Sequence, residues 1–256
     1  MAAESGPEID PIHQFGIHSV VPIDIAHVDV SLTNSGLFML LAVGLSCLIA
    51  AIAARGDAGV PSRMQALGEV SYEFVAGMVR SAAGETGMRF FPLVFSIFFF
   101  IVICNVVGLI PYSFTVTSQI VITALLALMV FLTVVVIGIK EHGTHFFRNF
   151  VPPGVPIYIL PLVVAIEIVS FLSRPVSHSV RLFANMLAGH ITLYVFGAFV
   201  IMLLGASLIF KPIAILAFAM TVGLEALELL VAFLQAYVFA MLTCMYLNDA
   251  LHPGGH

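Results

Sequence analysis

Two apolar runs in the last hundred residues are too long for any compact soluble fold. One extends from about Leu162 to Ala206, with Arg174-Pro175 as its only turn signal. The other extends from Pro212 to Asn248 and has no turn signal at all. Read as helices, they would be about 67 and 55 Å long at 1.5 Å per residue. A bilayer's hydrocarbon core is only about 30 Å thick, so the longer rod must tilt by roughly 60°, beyond the usual range of about 0–40°. Splitting each run into two ordinary spans would need loops that the sequence does not offer. The expected arrangement is two long helices lying steeply across the membrane as a hairpin, with its turn near Lys211-Pro212.

The rest of the chain agrees. Of its 256 residues, 61% are hydrophobic and 9% charged, against roughly 45–50% and 25% in an ordinary globular domain. Asn34–Ala54 is uncharged over the length of one span. Arg55–Arg89 is polar, and the apolar spacing within Gln65–Arg80 predicts a helix at the membrane interface. Phe91–Ile139 carries neither charge nor His, and the Gly108–Ser113 stretch, with Pro111, predicts a turn between two spans. Lys140–Arg148 is a charged connector, followed by the proline-rich stretch 152–156. The predicted fold is an all-α polytopic membrane protein of about five membrane helices, plus the interfacial amphipathic helix. It forms a single membrane domain over residues 1–256: an extracytoplasmic segment 1–33, three spans with interfacial segments over 34–150, and the tilted hairpin over 151–256.

Charge sets the orientation and limits the partners. Arg55, Arg63, Arg80, Arg89, Lys140 and Arg148 fall on one side if the N-terminus is outside, and the positive-inside rule makes that side cytoplasmic. The N-terminus, with Glu4, Glu8, Asp10, Asp24 and Asp29 and no Lys or Arg, is then extracytoplasmic, and the C-terminus is cytoplasmic. It lacks the basic flank of a cleaved signal peptide. Nine basic residues scattered over the chain make no footprint for nucleic acid. No phosphate loop of the G-x-x-x-x-G-K-[ST] type is present, so no direct nucleotide binding is expected. No cofactor or metal is expected either; Cys47, Cys104 and Cys244 read as small buried hydrophobes.

An ionisable residue inside a span is a functional candidate, because burying it is expensive. The first three spans hold none. The first hairpin helix carries Glu167, Arg174, His178, Arg181 and His190; the second carries Glu225 and Glu228, with Gln235 nearby and Asp249 at its end. At about 100° per residue, Arg174, His178 and Asn185 lie within about 60° of Arg181, whereas His190 points to the opposite side. If Arg181 faces Gln235, His190 and Glu228 lie about 13.5 and 10.5 Å toward the outside, and Glu167 and Asp249 about 21 Å toward the inside. A central cation with protonatable groups displaced both ways suits two half-channels better than one open pore. Arg174 and Lys211 are expected to snorkel. Glu225 is a candidate partner of Glu228, His178 a candidate backbone hydrogen bonder, and Asn185 and Gln235 candidate interhelical glue. Arg181 cannot lose its proton and needs an anion; the most economical source is a carboxylate on another protein.

Ser177-His-Ser-Val-Arg181-Leu-Phe-Ala-Asn185-Met-Leu-Ala-Gly-His190 resembles the signature of the subunit a family of F-type ATP synthases. Asp10-Pro-Ile-His-Gln-Phe15, Asn105-Val-Val-Gly-Leu-Ile-Pro111 and Leu234-Gln-Ala-Tyr-Val-Phe239 resemble it in the same order. The resemblance implies a proton-transporting stator subunit, not an enzyme on its own, in a multi-pass bacterial inner membrane, with the mitochondrial inner membrane as the alternative. It implies as partners the c-ring rotor subunits, b-type peripheral stalk subunits and other ATP synthase subunits, within the lipid bilayer. Arg181 would be the essential arginine that meets each ring carboxylate, releases its proton and blocks a leak between the half-channels. Asn185, Gln235 and Glu167 match positions tied to Arg orientation and the aqueous paths. Many bacterial members have Glu at His190 and His at Glu228; the exchange here keeps an imidazole–carboxyl pair able to relay protons near neutral pH. His178 matches no assigned position. Two other readings compete. A free-standing channel or transporter would be favoured by repeats, and a membrane hydrolase by H-E-x-x-H or G-x-S-x-G; neither feature is present.

Overall fold

The structure, a computed structural model, describes residues 15–22, 24–25, 28–29, 31–53, 63–110, 113–143, 146, 151, 156, 158–206 and 210–251. Glu4, Glu8, Asp10, Arg55, Arg148 and most of the stretch 152–156 lie outside the described residues.

A short ribbon precedes the helices. Strand β1 (Ser19–Val21) pairs antiparallel with β4 (Leu32–Thr33), and β2 (Asp24–Ile25) with β3 (Val28–Asp29). It leads into α1 (Asn34–Ala53), whose entry is capped: the Thr33 hydroxyl accepts from the Gly36 N–H at 3.2 Å, satisfying one of the free donors of the first turn. Asn34 ties that entry to the ribbon, donating to the Gly16 carbonyl at 3.0 Å and accepting from the His18 N–H at 3.2 Å.

The expected interfacial segment is helix α2 (Arg63–Gly87), longer than its Gln65–Arg80 core suggested. Val75, Val79 and Ala83 recur at helical spacing and bury one side of it against α3 and α6, leaving Met64, Leu67 and Val70 outward. Gly84, at φ 66°, breaks the helix where only glycine is unstrained. Helices α3 (Phe91–Gly108) and α4 (Ile120–His142) are the two predicted halves of the long apolar run. The turn between them folds inward: Thr115, Val116, Thr117 and Ser118 are all buried. Gly108 permits this, since a Cβ there would lie 2.9 Å from the Thr115 methyl.

The two long runs are two helices. α5 (Leu160–Gly205) has 46 residues and passes unbroken through Pro175; α6 (Lys211–Leu251) has 41, so the hairpin turns where Lys211-Pro212 predicted. Among the described residues, five helices are long and apolar enough to cross a membrane. Their outer faces are apolar (Val121, Leu125, Ile201 and Ile215 are largely exposed), which suits a lipid environment.

Lipid is as apolar as a leucine core, so helices associate in it mainly by close packing. Helix α6 shows how. Ala232, Ala236, Ala240 and Cys244, one turn apart, are all fully buried and let α6 pack closely against α2, α3, α4 and α5. Val79, Ile101, Leu182 and Phe239 fill the centre. The approach is close enough for the Asn105 amide of α3 to donate to the backbone carbonyl of Ala232 at 3.1 Å while its own oxygen accepts from Thr117 at 2.8 Å. Cys104 and Cys244 are buried as expected; Cys47, on α1, is exposed.

Candidate functional site

The polar residues of α5 and α6 meet at three levels. Farthest toward the hairpin turn, His190 Nε2 lies 2.9 Å from the Thr115 hydroxyl and 3.7 Å from Glu228 Oε1. Glu228 is only 6% exposed, and neither carboxylate oxygen has a hydrogen-bond partner among the described residues. Room for it comes from Gly189, where a Cβ would stand 2.5 Å from Glu228 Oε1. The Phe15 ring packs edge-on to His190 at 6.4 Å, and its carbonyl accepts from Gln119 at 3.0 Å. His190 and Glu228, expected near the same level, are neighbours. Glu225 lies one turn back on the exposed side of α6, and the group nearest the Glu228 carboxyl is His190.

At the middle level, Asn185 Nδ2 donates to Gln235 Oε1 at 2.8 Å, with Gln235 buried. Asn185, one turn beyond Arg181, is therefore the residue opposite Gln235, and the register is offset by about one turn from the expected Arg181–Gln235 facing. Arg181 itself is exposed on the outer side of α5 and makes no hydrogen bond or ion pair among the described residues. Its exposed neighbours along that stripe are Ser177, Ala184 and Ala188, which stand low around the guanidinium. His178, one turn away, is buried with its ring centroid 3.8 Å from that of Phe239, and its Nε2 has no partner among the described residues.

At the third level, Arg174 is half-buried and ion-paired within the chain. Its guanidinium is 2.9 Å from Asp249 Oδ2 and lies over the rings of Tyr246 and Phe171, at 5.1 and 5.5 Å. Asp249 therefore stands level with Arg174 instead of with Glu167, which is half-buried on α5 two turns farther along. His142 of α4 sits 3.0 Å from the Leu251 carbonyl and holds the end of α6. Arg89 and Glu141 pair at 2.6 Å beside it.

Thr115, Gly189 and Asn105 belong to this site although their side chains drew no role from sequence. Gly189 had a signal: a glycine inside a helix costs about 1 kcal/mol relative to alanine and so has a packing reason. Thr115 had none, since its approach depends on how the α3–α4 turn folds.

Five apolar helices, with polar side chains gathered between the two longest, make this an all-α polytopic membrane protein with a candidate path for small ions or protons. The comparisons agree in kind. Residues 36–248 match the family model described as ATP synthase A chain, and the chain belongs to that family. It is 60% identical over 245 residues to a protein named ATP synthase subunit a from Chelativorans sp., covering 96% of this chain and 98% of that one. Proteins of the same name from Afipia carboxidovorans and Rhodopseudomonas palustris are each 57% identical, covering 96% of this chain and 99% of theirs.

Proposed function

We propose that this chain is the stator subunit of an F-type ATP synthase that forms two offset proton half-channels against the c-ring. The observation that carries this reading is Arg181: a permanent cation, exposed on a membrane helix and unpaired among the described residues, needs an anion. A carboxylate on each passing rotor subunit supplies it. The low Ser177, Ala184 and Ala188 side chains leave a rotor helix room to approach.

Protons enter from the side of the hairpin turn. Thr115, His190 and Glu228 stand within a few ångströms of one another, and an imidazole beside a carboxyl hands protons on by small movements. A proton from this relay neutralises a rotor carboxylate, which then leaves Arg181 and travels round through lipid. Asn185 and Gln235, bonded to each other, brace the two helices next to Arg181 and fix the entry to that exchange. On its return, the carboxylate meets Arg181 and gives up its proton, which leaves past His178 and Glu167 toward the opposite side. Arg181 between the two paths repels a proton that would cross directly. Each charge moved is worth about 2.3 kcal/mol per 100 mV, so several protons combine per ATP.

Nucleotide binds on other subunits, and b-type stalk subunits hold this chain against the torque. The reading puts the protein in a bacterial inner membrane with its C-terminus cytoplasmic. The clustering of Arg89, Lys140, Arg174 and His142 toward one end of the bundle supports that orientation.

The test is ATP-driven acidification of inverted membrane vesicles that carry the assembled complex. Arg181→Ala is expected to abolish coupled pumping, whereas Lys211→Ala, at the exposed start of α6, leaves it intact. Normal pumping by a fully assembled Arg181→Ala complex would refute the reading.

A further inference from the structure

Helix α5 carries two guanidiniums on one side. Arg174 and Arg181 are seven residues apart, which is 20° short of two turns, so their Cα atoms share a face about 10.5 Å apart along the axis. Neither side chain can discharge itself. Their surroundings differ completely. Arg181 is exposed and unpaired among the described residues, whereas Arg174 is half-buried, drawn toward α6 by Asp249 at 2.9 Å and flanked by the Tyr246 and Phe171 rings. Asp249 cannot drift from this position. It lies in the last turn of α6, and that end is anchored to α4 where His142 meets the Leu251 carbonyl at 3.0 Å.

A rotor carboxylate sliding along this face would be attracted by both cations if both were free. It could then dwell at Arg174 and miss the position where its proton is exchanged. We propose that Asp249 is a positioning residue that occupies Arg174 and so leaves Arg181 as the single guanidinium open to the rotor carboxylate. This rests on the proposal that Arg181 meets that carboxylate. Asp249 acts here through Arg174, by removing a decoy.

The experiment uses assembled complexes in inverted vesicles, with the initial rate of ATP-driven acidification normalised to complex content. Asp249→Asn frees Arg174 and is expected to slow pumping at least tenfold. Adding Arg174→Gln removes the decoy as well, and the double variant is expected to return to within about threefold of the parent. An Asp249 that served only to clamp the helices predicts the reverse, since the double variant still lacks the clamp and would pump no faster than Asp249→Asn. That result, or unchanged pumping by Asp249→Asn, would overturn the proposal. If Asp249→Asn does not assemble, the exchange Arg174→Asp/Asp249→Arg decides. It keeps a neutral pair with the cation on α6, so pumping within about threefold of the parent supports the proposal, and its loss refutes it. Arg181→Ala in the same series separates the two ideas: if that variant pumps normally, the underlying function fails whatever Asp249 does.

Discussion

Replacing Gly189 with alanine puts a methyl group where the Glu228 carboxyl now sits. An ideal Cβ at Gly189 would be 2.5 Å from Glu228 Oε1, 2.8 Å from Cδ and 3.3 Å from Cγ. Comfortable contact begins near 3.5 Å, so the carboxyl must retreat from α5 by about 1 Å. His190 is the next residue on α5, and its Nε2 is already 3.7 Å from Oε1. The same retreat would widen that gap to about 4.7 Å, well beyond the roughly 2.6–3.2 Å at which a proton passes directly. Overpacking of this kind costs about 1–3 kcal/mol. A misplacement of about 1 Å can cost about 100-fold in rate, so proton transfer through the pair should fall by up to about 100-fold. The assay is acidification of inverted vesicles per assembled complex, with Gly197→Ala as control. Gly197 lies on the same helix, and a Cβ there meets nothing within 4 Å. Glu228→Asp, which withdraws the carboxyl by one methylene, should recover part of the loss in the Gly189→Ala background. If Gly189→Ala pumps as fast as Gly197→Ala, the reasoning that ties this glycine to the His190–Glu228 spacing is wrong.

Two further outcomes follow from buried hydrogen bonds. Asn105→Ala removes both the donor to the Ala232 carbonyl and the acceptor for Thr117 at a fully buried position. It should destabilise the protein by about 2–3 kcal/mol, visible as a lower melting temperature of the detergent-solubilised complex. Gln235→Leu strips the acceptor from Asn185 and should slow pumping about tenfold, whereas Gln235→Glu keeps an acceptor and should pump faster than Gln235→Leu in the same vesicle assay.

The hairpin was legible because run length is a property of the chain alone: a stretch of some 45 residues without a loop signal has few ways to sit in a bilayer. The level shared by His190 and Glu228 was legible for a related reason, since helical rise converts residue number into height. The same arithmetic misjudged Arg174 and Asp249. Their heights depend on the exact register of α5 against α6, which is set by the turn after Gly205 and by the alanine face of α6, where one-turn offsets leave no mark on periodicity. The Arg174–Asp249 pair was out of reach because its two residues are 75 apart in the chain and meet only through that register. Thr115 and Asn105 were out of reach for a different reason. Both act through the inward-folded α3–α4 turn, and nothing local to those residues says that the turn packs inward.

The length of α5 also has a consequence for timing. A helix of 46 residues, about 69 Å long, confined to a 30 Å layer runs mostly sideways. At a tilt near 60°, the 10.5 Å between Arg174 and Arg181 becomes about 9 Å in the plane of the membrane and only about 5 Å in depth. Helices packed side by side stand about 8–10 Å apart. On the proposed stator reading, two exposed positions one such step apart on α5 face neighbouring rotor helices, not two depths on the same one. An upright helix would offer its groups to one rotor subunit at one moment. This oblique one offers them to successive subunits, so the order of residues along the chain becomes an order of events in the rotation.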